Sequence, residues 1–415
     1  MHAVVAAAVD EAASRLDGII RRTPLERNAR LSDMTGSEVW LKREDQQVVR
    51  SYKLRGAYNF IVQIQDEVRG VGVVCASAGN HAQGVAWACN HLGLPGRIYV
   101  PRTTPRQKRE RIRSLGGDAV EIMATGETYD RAHQAASAHA ETTGAMLVPA
   151  FDAPATIAGQ GTIAREIVEQ LGEVPNRVIV PIGGGGLLAG IAAWSAEHTP
   201  ETQLIGVEAA GAASMTAALR AGHPVALESV DTFVDGAAVQ TAGSHTFPLI
   251  RDHVARVTTV DEGRVCSEML AMYQHDGIIA EPAGALATAS LGDSAAPEPG
   301  ELTVCVVSGG NNDVSRYSEV LERSLIHEGL KHYFLVDFPQ QPGALRRFLD
   351  DMLGPDDDIT MFEYVKRNNR ETGPALVGIQ VGYRGGLDAL LSRMVRSRCM
   401  VQRIEPEDPL FGFVQ

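Results

Sequence analysis

Residues 177–196 read RVIVPIGGGGLLAGIAAWSA, and this stretch decides the fold class. The β-branched run Arg177–Pro181 predicts a buried strand, and the alanine-rich segment from Leu187 predicts a helix. Pro181 and the four consecutive glycines would break a helix laid through the whole uncharged run, so it does not predict a membrane span. The stretch predicts a strand, a glycine loop and a helix, which is the unit of an α/β fold.

The same alternation continues on both sides of this unit. Short β-branched runs predict strands at 72–76, 96–100, 119–123, 203–207 and 302–307. Helical patterns that end near glycine predict helices at 80–92, 105–115, 127–142 and 161–171. Strands that alternate with helices form parallel sheets, so this region predicts a large α/β layer structure.

The pattern changes after Asn312. A helix at 313–325 leads to Glu328 and Gly329, a plausible domain boundary. The remaining segment predicts strand 332–338, helix 343–352, strands 359–366 and 375–381, helix 387–394 and strand 400–405. This βαββαβ order is the ferredoxin-like arrangement. We therefore predict two domains, 1–327 and 328–415.

Charge and cysteine content exclude several classes of protein. The net charge of −13 argues against a nucleic-acid partner, and the basic cluster at 102–113 lacks interleaved aromatic residues, which favours a solvated helix face. The five cysteines, Cys399 among them, form no C-x-x-C pair that would indicate a disulfide framework or a zinc site. The amino-terminal segment lacks the basic region of a signal peptide. Together these features predict a soluble, cytoplasmic protein.

Four loops carry residues suited to chemistry. Lys53 has an amine that can carry a cofactor as a Schiff base when it is partly desolvated, although most lysines lie on the surface. Residues 77–81 read SAGNH at a predicted helix start, where carboxylate or phosphate is favoured or where Ser77 or Asn80 simply caps the helix. The four glycines suit a phosphate, and Ser308 follows a predicted strand at the edge where α/β folds bind ligands.

The glycine loop also fits a second class of protein. Gly184-x-Gly186-x-x-Ala189 matches a dinucleotide-binding fingerprint, and Glu208 lies about 20 residues further along the chain. On these residues alone, a nicotinamide-dependent dehydrogenase stays open.

The order of the motifs is more specific than any one of them. SYK at 51–53, SAGNH at 77–81, PIGGGGLLAG at 181–190, EPAGA at 281–285 and SGGN at 308–311 follow one another along the chain. This order resembles the fold-type II (tryptophan synthase β-like) pyridoxal-phosphate enzymes, and threonine dehydratases in particular. Residues 332–349 and 359–368 resemble the ACT-like regulatory domain of biosynthetic members, present here in one copy.

The resemblance implies a role for each motif. Lys53 would bind pyridoxal phosphate covalently and act as the base at the substrate α-carbon. Asn80 would meet the 3′ oxygen and Ser308 the pyridine nitrogen of the cofactor. The phosphate would lie on Gly183, Gly184, Gly185, Gly186 and Leu187. The substrate would be bound by Ser77, Gly79, Asn80, His81, Gly236 and Glu281.

The activity implied is deamination of L-threonine to 2-oxobutanoate and ammonia, the first step of isoleucine formation. The resemblance also implies a homo-oligomer with isoleucine as effector. L-Serine stays open as a substrate, as do a catabolic dehydratase and an inactive amino-acid sensor. Racemisation is disfavoured because Ala78 stands where racemases carry a second serine. No metal is expected, because Glu208 is followed six residues later by Ser214 instead of the racemase aspartate.

Overall fold

The computed structural model describes residues 4–364, 371–396, 400–405, 408, 410 and 411. Its contacts divide the chain into two compact units. The first unit comprises Met1–Glu262 and Ala271–Asp313, and the second comprises Gly263–Leu270 and Val314–Gln415. A functional division between 327 and 328 stays a prediction.

The strands of the described residues are β1 Leu25–Arg27, β2 Glu38–Arg43, β3 Val73–Ala76, β4 Gly96–Val100, β5 Val120–Ala124, β6 Met146–Leu147, β7 Arg177–Pro181, β8 Gln203–Ala209, β9 Arg256–Val260, β10 Leu302–Val307, β11 Lys331–Pro339, β12 Asp358–Tyr364, β13 Thr372–Gln380 and β14 Met400–Ile404. The α-helices of the same residues are α1 Ala6–Leu16, α2 Ala29–Thr35, α3 Lys53–Gln63, α4 Gln65–Val68, α5 Asn80–Leu92, α6 Arg106–Gly116, α7 Tyr129–Thr143, α8 Pro154–Leu171, α9 Gly186–His198, α10 Ser214–Ala221, α11 Thr246–His253, α12 Glu262–Asp276, α13 Pro282–Ala289, α14 Tyr317–His327, α15 Ala344–Met352 and α16 Gly386–Arg396.

Two sheets form the first unit. The larger has the order β1-β2-β10-β7-β8-β9, and the smaller has the order β5-β4-β3-β6. Every neighbouring pair is parallel except β1 with β2, which the alternation of strands and helices did not predict. Strands β7 and β10 are buried along their whole length, as expected where helices cover both faces of a parallel sheet. The predicted α/β class is confirmed.

One predicted helix was too short. The pattern placed a helix at 161–171, whereas α8 begins at Pro154. Glycines inside the helix hid its first turns, and packing explains why they are there. A β-carbon on Gly161 would lie 2.5 Å from the carbonyl oxygen of Gly190, and one on Gly159 would lie 2.6 Å from that of Arg55. The two glycines therefore let α8 pack closely against α9 and α3.

The second unit contains the predicted βαββαβ element order. Its sheet has the order β12-β13-β11-β14, and each neighbouring pair is antiparallel. Phe334, Val377 and Ile379 from the sheet form an apolar cluster with Phe348 of α15 and Leu390 of α16. The ferredoxin-like prediction is confirmed for the described residues. Residues 365–368 of the quoted motif, and Cys399, lie outside them.

Candidate active site

Lys53 lies where α3 begins, beside the loop that follows β10. The Tyr52 N–H donates to the carbonyl oxygen of Ser308 over 3.1 Å, and Ser51 forms an isolated β-bridge with Gly309. The serine-glycine loop and the lysine are therefore joined by backbone contacts, although more than 250 residues separate them in the chain.

The Lys53 amine lies in a desolvated environment. Its Nζ donates to the carbonyl oxygen of Ala150 over 2.9 Å and lies 5.3 Å from the centre of the Tyr52 ring. Burial lowers the pKa of Lys53 to about 8, and the charge of Glu281 opposes that shift. With this pKa about a tenth of the amine is neutral at pH 7, far more than in an ordinary lysine, and the neutral form is the one that acts as a nucleophile or base.

The glycine loop ends in an open helix start. Helix α9 begins at Gly186, and Gly185 precedes it with a φ of 95°. Gly185 is the N-cap residue and has no side chain with which to cap this helix start. A β-carbon on Gly184 would lie 2.3 Å from the Phe151 ring, and one on Gly185 would lie 2.8 Å from Thr246 Oγ1. The loop accommodates no side chains here, and its helix start suits an anion.

Two of the predicted glycine-loop residues contribute backbone only. Leu187 is 2% exposed and its side chain packs into the core of the larger sheet. A β-carbon on Gly183 would lie 3.0 Å from the Ala237 α-carbon, which places Gly183 beside the segment that carries Gly236. Both residues can therefore offer a ligand their N–H groups but no side chain.

Residues 150–152 connect the lysine to the glycine loop, and the sequence reasoning missed them. Ala150 accepts the Lys53 hydrogen bond, and the Phe151 ring packs against Gly184. The Asp152 carboxylate accepts from the N–H groups of Ser244 and His245 over 2.8 and 2.7 Å. An aspartate just before a helix is typical of a cap, so the pattern gave no signal of this tertiary role.

The SAGNH segment forms the start of α5. Ser77 does not cap that helix: its Oγ accepts from the Gly79 N–H over 3.2 Å, within the loop. His81 Nε2 lies 2.9 Å from the carbonyl oxygen of Val148. Burial, and then the neighbouring Lys53 charge, lowers the pKa of His81 to about 4. Because the ring is neutral, a bound carboxylate would depend on backbone N–H groups and the helix dipole.

Three polar residues form a connected group next to the lysine. Asn80 Nδ2 donates to Glu281 Oε1 over 2.6 Å. Asn311 donates its backbone N–H to Glu281 Oε2 over 3.2 Å and its Nδ2 to Asn80 Oδ1 over 2.7 Å. Burial, and then the charge of Asp235, raises the pKa of Glu281 to about 7. The Glu281 carboxyl is thus shared between its protonated and ionised forms near neutral pH.

The remaining predicted site residues lie beside this group. A β-carbon on Gly236 would lie 2.9 Å from that of Ala283 and 3.4 Å from Glu281 Oε1. Ser308 is 3% exposed, and its Oγ donates to the carbonyl oxygen of Ala283 over 3.2 Å. The contacts of the first unit thus link Lys53, the SAGNH and SGGN loops, the glycine loop and the EPAGA segment.

Glu208, the acidic residue of the dinucleotide-binding fingerprint, forms hydrogen bonds within the protein. Glu208 Oε1 accepts from the Met215 N–H over 2.7 Å, and Oε2 accepts from the N–H and Oγ1 of Thr216 over 2.8 and 2.7 Å. Both carboxylate oxygens hold the start of α10, so Glu208 is committed to the fold and a nicotinamide ribose would lose its expected partner. Within the described residues, no group of three or more histidine, cysteine, aspartate or glutamate side chains could hold a metal ion.

Part of the basic cluster on α6 forms ion pairs with acidic side chains. Lys108 pairs with Asp235 over 2.9 Å and Arg106 with Glu110 over 2.5 Å, so acidic groups neutralise part of the α6 surface. No described helix is both long enough and apolar enough to span a bilayer.

Comparison with known proteins agrees with this geometry. Residues 16–309 match the family model described as pyridoxal-phosphate dependent enzyme, and residues 322–414 match that of the C-terminal regulatory domain of threonine dehydratase. The L-threonine dehydratase biosynthetic IlvA of Mycobacterium tuberculosis H37Rv is 59% identical, covering 98% of this chain and 95% of the relative. The corresponding protein of Bacillus subtilis is 47% identical, covering 95% and 93%.

Solved structures resemble about three quarters of the chain. Threonine deaminase isoform 2 of Solanum lycopersicum superposes with a TM-score of 0.73 at 38% identity, covering 77% of this chain and 88% of that one. Maize serine racemase superposes with a TM-score of 0.72 at 31% identity, covering 79% and 100%. On this evidence, the chain belongs to the biosynthetic L-threonine dehydratase family of pyridoxal-phosphate dependent enzymes.

Proposed function

We propose that this protein deaminates L-threonine to 2-oxobutanoate and ammonia with pyridoxal phosphate, as the first step of isoleucine biosynthesis. The desolvated Lys53 amine is the main support for the proposal. It lies between the SAGNH and SGGN loops and residues 150–152, which pack on the glycine loop. The 59% identity to a biosynthetic threonine dehydratase over nearly the whole chain supports the choice of substrate.

The residues present fit pyridoxal phosphate. The tightly packed glycine loop at the start of α9 offers backbone N–H groups to a phosphate. The buried Ser308 hydroxyl can turn its one hydrogen from the carbonyl oxygen of Ala283 to a ring nitrogen and so offer a neutral hydrogen bond. Asn80 has one amide hydrogen not used by Glu281. Lys53 offers the amine that the cofactor aldehyde needs. When bound, pyridoxal phosphate supplies a conjugated ring that withdraws electrons from the bonds at the substrate α-carbon.

Lys53 performs the proton transfer in this proposal. Its Nζ, once released by substrate, takes the proton from the α-carbon, and its lowered pKa makes the neutral amine more abundant than in an ordinary lysine. The start of α5, from Ser77 to His81, binds the substrate carboxylate through backbone N–H groups and short polar side chains. Glu281, beside Gly236, faces the amino side of the substrate or the cofactor.

Ala78 favours elimination over racemisation. Racemisation needs a second proton-transfer group on the face opposite Lys53, and the alanine methyl group has no ionisable proton. The likeness to maize serine racemase therefore supports the fold and the cofactor more than that reaction.

The purified protein with pyridoxal phosphate tests the proposal directly. We expect a visible absorbance band that borohydride removes and that requires Lys53, together with formation of a 2-oxo acid from threonine. Parallel assays with L-serine, and chiral analysis of the recovered serine, measure the substrate preference and any racemase activity. A bound cofactor without 2-oxobutanoate formation from threonine would overturn the proposal.

We also propose that isoleucine, acting through residues 328–415, raises the threonine concentration that the enzyme requires. The match of residues 322–414 to a threonine dehydratase regulatory domain and the ferredoxin-like sheet support this role. An end product must bind one state of the protein better than another, and such coupling is commonly about 5–150-fold. We further propose a cytoplasmic homo-oligomer.

The regulatory test needs the intact protein. Helix α14 belongs to the second unit, and a truncation near Arg323 that removed the regulatory segment would divide that helix. Threonine saturation curves with isoleucine, and with valine as a matched branched-chain control, measure the response. Light scattering with each ligand measures the oligomeric state. A threonine requirement that isoleucine leaves unchanged would contradict the regulatory proposal.

A further inference from the structure

Asn311 contacts three groups around the proposed cofactor site. Its backbone N–H donates to Glu281 Oε2 over 3.2 Å, and its side-chain Nδ2 donates to the carbonyl oxygen of Val49 over 2.8 Å and to Asn80 Oδ1 over 2.7 Å. Both hydrogens of the Asn311 amide are thereby used. A backbone carbonyl can only accept, so Val49 determines that the amide nitrogen of Asn311, and not its oxygen, faces Val49 and Asn80.

The direction of the Asn80 amide follows from this arrangement. With Asn80 Oδ1 held by Asn311, its Nδ2 donates one hydrogen to Glu281 Oε1 over 2.6 Å and keeps the second. Rotating the Asn80 amide by half a turn would bring two NH₂ groups together at Asn311 and would place a carbonyl oxygen against the Glu281 carboxyl. Both contacts would be unfavourable whenever that carboxyl is ionised, so the network defines one orientation.

We propose that Asn311 is a positioning residue that fixes the polarity of the Asn80 amide, so that Asn80 presents an N–H donor to an oxygen of the bound cofactor. The inference rests on the proposed function, because it deepens the role of the same site. Without Asn311, Glu281 alone would orient the Asn80 amide, and its protonated form can bond to either end of that amide. A reversed amide would place its carbonyl oxygen against a phenolic oxygen that carries negative charge and would repel it.

Isosteric and truncating substitutions separate polarity from packing. Asn311→Asp keeps the shape but replaces the donor by an acceptor, which favours the reversed Asn80 amide. Asn311→Ala removes the contact and leaves the Asn80 amide held by Glu281 alone. A packing role predicts that alanine is the worse substitution, because it leaves a cavity, whereas a polarity role predicts that aspartate is worse.

Asn312 provides the matched control in the adjacent position. Neither polar atom of its side chain has a hydrogen-bond partner within the described part of the chain. Asn312→Asp and Asn312→Ala therefore apply the same chemical changes one residue away from the network. Circular dichroism and thermal unfolding establish which variants keep the fold.

The readouts are the affinity of the apo-protein for pyridoxal phosphate, from fluorescence titration, and the absorbance maximum of the bound cofactor. We expect Asn311→Asp to weaken binding about tenfold or more, Asn311→Ala to weaken it less, and both to shift the maximum, given the typical strength of charge-assisted hydrogen bonds. Asn312→Ala should match the unmodified protein in both readouts. The polar atoms of Asn312 are buried, so Asn312→Asp measures what an added buried charge does by itself, and Asn311→Asp should weaken binding more than Asn312→Asp does.

If Asn311→Asp does not fold, Asn311→Ser carries the test. A serine hydroxyl has one donor and can also accept, so it should shift the absorbance maximum relative to Asn312→Ser. Folded Asn311 variants with unchanged affinity and maximum, or alanine worse than aspartate, would overturn the inference. An unmodified protein that binds no pyridoxal phosphate, or that binds it but does not deaminate threonine, would instead count against the proposed function.

Discussion

Helix α3 carries two cations in contrasting environments, with Lys53 only half-buried. Arg55 is fully buried, and its guanidinium donates to Glu44 over 2.8 and 2.9 Å and to Glu166 over 2.6 and 2.9 Å. Lys53, two residues earlier, donates to a single backbone carbonyl. Two nearby carboxylates raise the pKa of Arg55 despite burial, whereas burial outweighs Glu281 and lowers the pKa of Lys53. Paired buried charges hold the fold together, and poorly paired ones are available for chemistry.

Removing the poorly paired cation should have the largest effect on activity. We expect Lys53→Ala to abolish the borohydride-sensitive absorbance and to lower kcat by about 10³-fold or more, because both the covalent anchor and the base are lost. Thermal unfolding should show no loss of stability, since the variant removes a desolvated amine. Lys53→Arg, which keeps a cation but has no usable nucleophile, should be equally inactive. Full activity in either variant would refute the assignment of Lys53.

Removing the paired cation should instead lower the free energy of unfolding. Arg55→Met leaves Glu44 and Glu166 facing each other without their shared guanidinium, and breaking a buried ion pair costs about 3–5 kcal/mol. Lys42 remains bound to Glu166 over 2.6 Å and offsets part of this loss. Arg165→Met on α8 is the matched control, because its ion pairs with Glu169 and Asp10 are partly exposed and worth at most about 1 kcal/mol. Similar urea midpoints for Arg55→Met and Arg165→Met would show that the buried ion pairs of Arg55 stabilise the fold no more than the exposed pairs of Arg165.

Local pattern predicted much of this molecule. Strands β4, β7 and β10 and helix α5 were predicted with the bounds that the structure has, since β-branched runs and a glycine stop are local signals. Lys53, Asn80 and Ser308 were chosen from motif order. Asn311 and Asp152 received no role, because their contacts join residues between 30 and 262 positions apart, and such pairings leave no local trace.

The buried carboxyl of Glu281 extends the comparison between buried charges that form ion pairs and those that do not. Glu281 bonds to two amide groups, whereas Glu44 is bound by Arg55. Because the folded pKa is raised from 4.5 to about 7, the folded state holds a proton that the unfolded state releases between those values. This carboxyl should therefore lower the stability by about 3 kcal/mol as pH rises from 4.5 to 7, with little further change above.

Glu281→Gln should flatten that dependence. Buried His81, whose pKa is lowered to about 4, makes both proteins more stable as pH rises through the lower part of this range. From pH 5 to pH 8 the urea midpoint of the apo-protein should therefore shift upward in Glu281→Gln relative to its shift in the unmodified chain. Glu197→Gln, an exposed change on α9, should leave the pH dependence intact. A steep fall that persists in Glu281→Gln would mean that another group causes it.

The smallest effect concerns the amine itself. A neutral Lys53 amine attacks the cofactor aldehyde and a protonated one does not, so the rate at which apo-protein regains its absorbance band should rise about tenfold per pH unit and level off near pH 8. A lysine peptide treated in the same way should keep accelerating toward pH 10.5, the ordinary lysine value. Since the charge of Glu281 holds the Lys53 pKa up, Glu281→Gln should move the plateau to lower pH. A plateau that forms only above pH 10 would show that burial does not lower the pKa of Lys53.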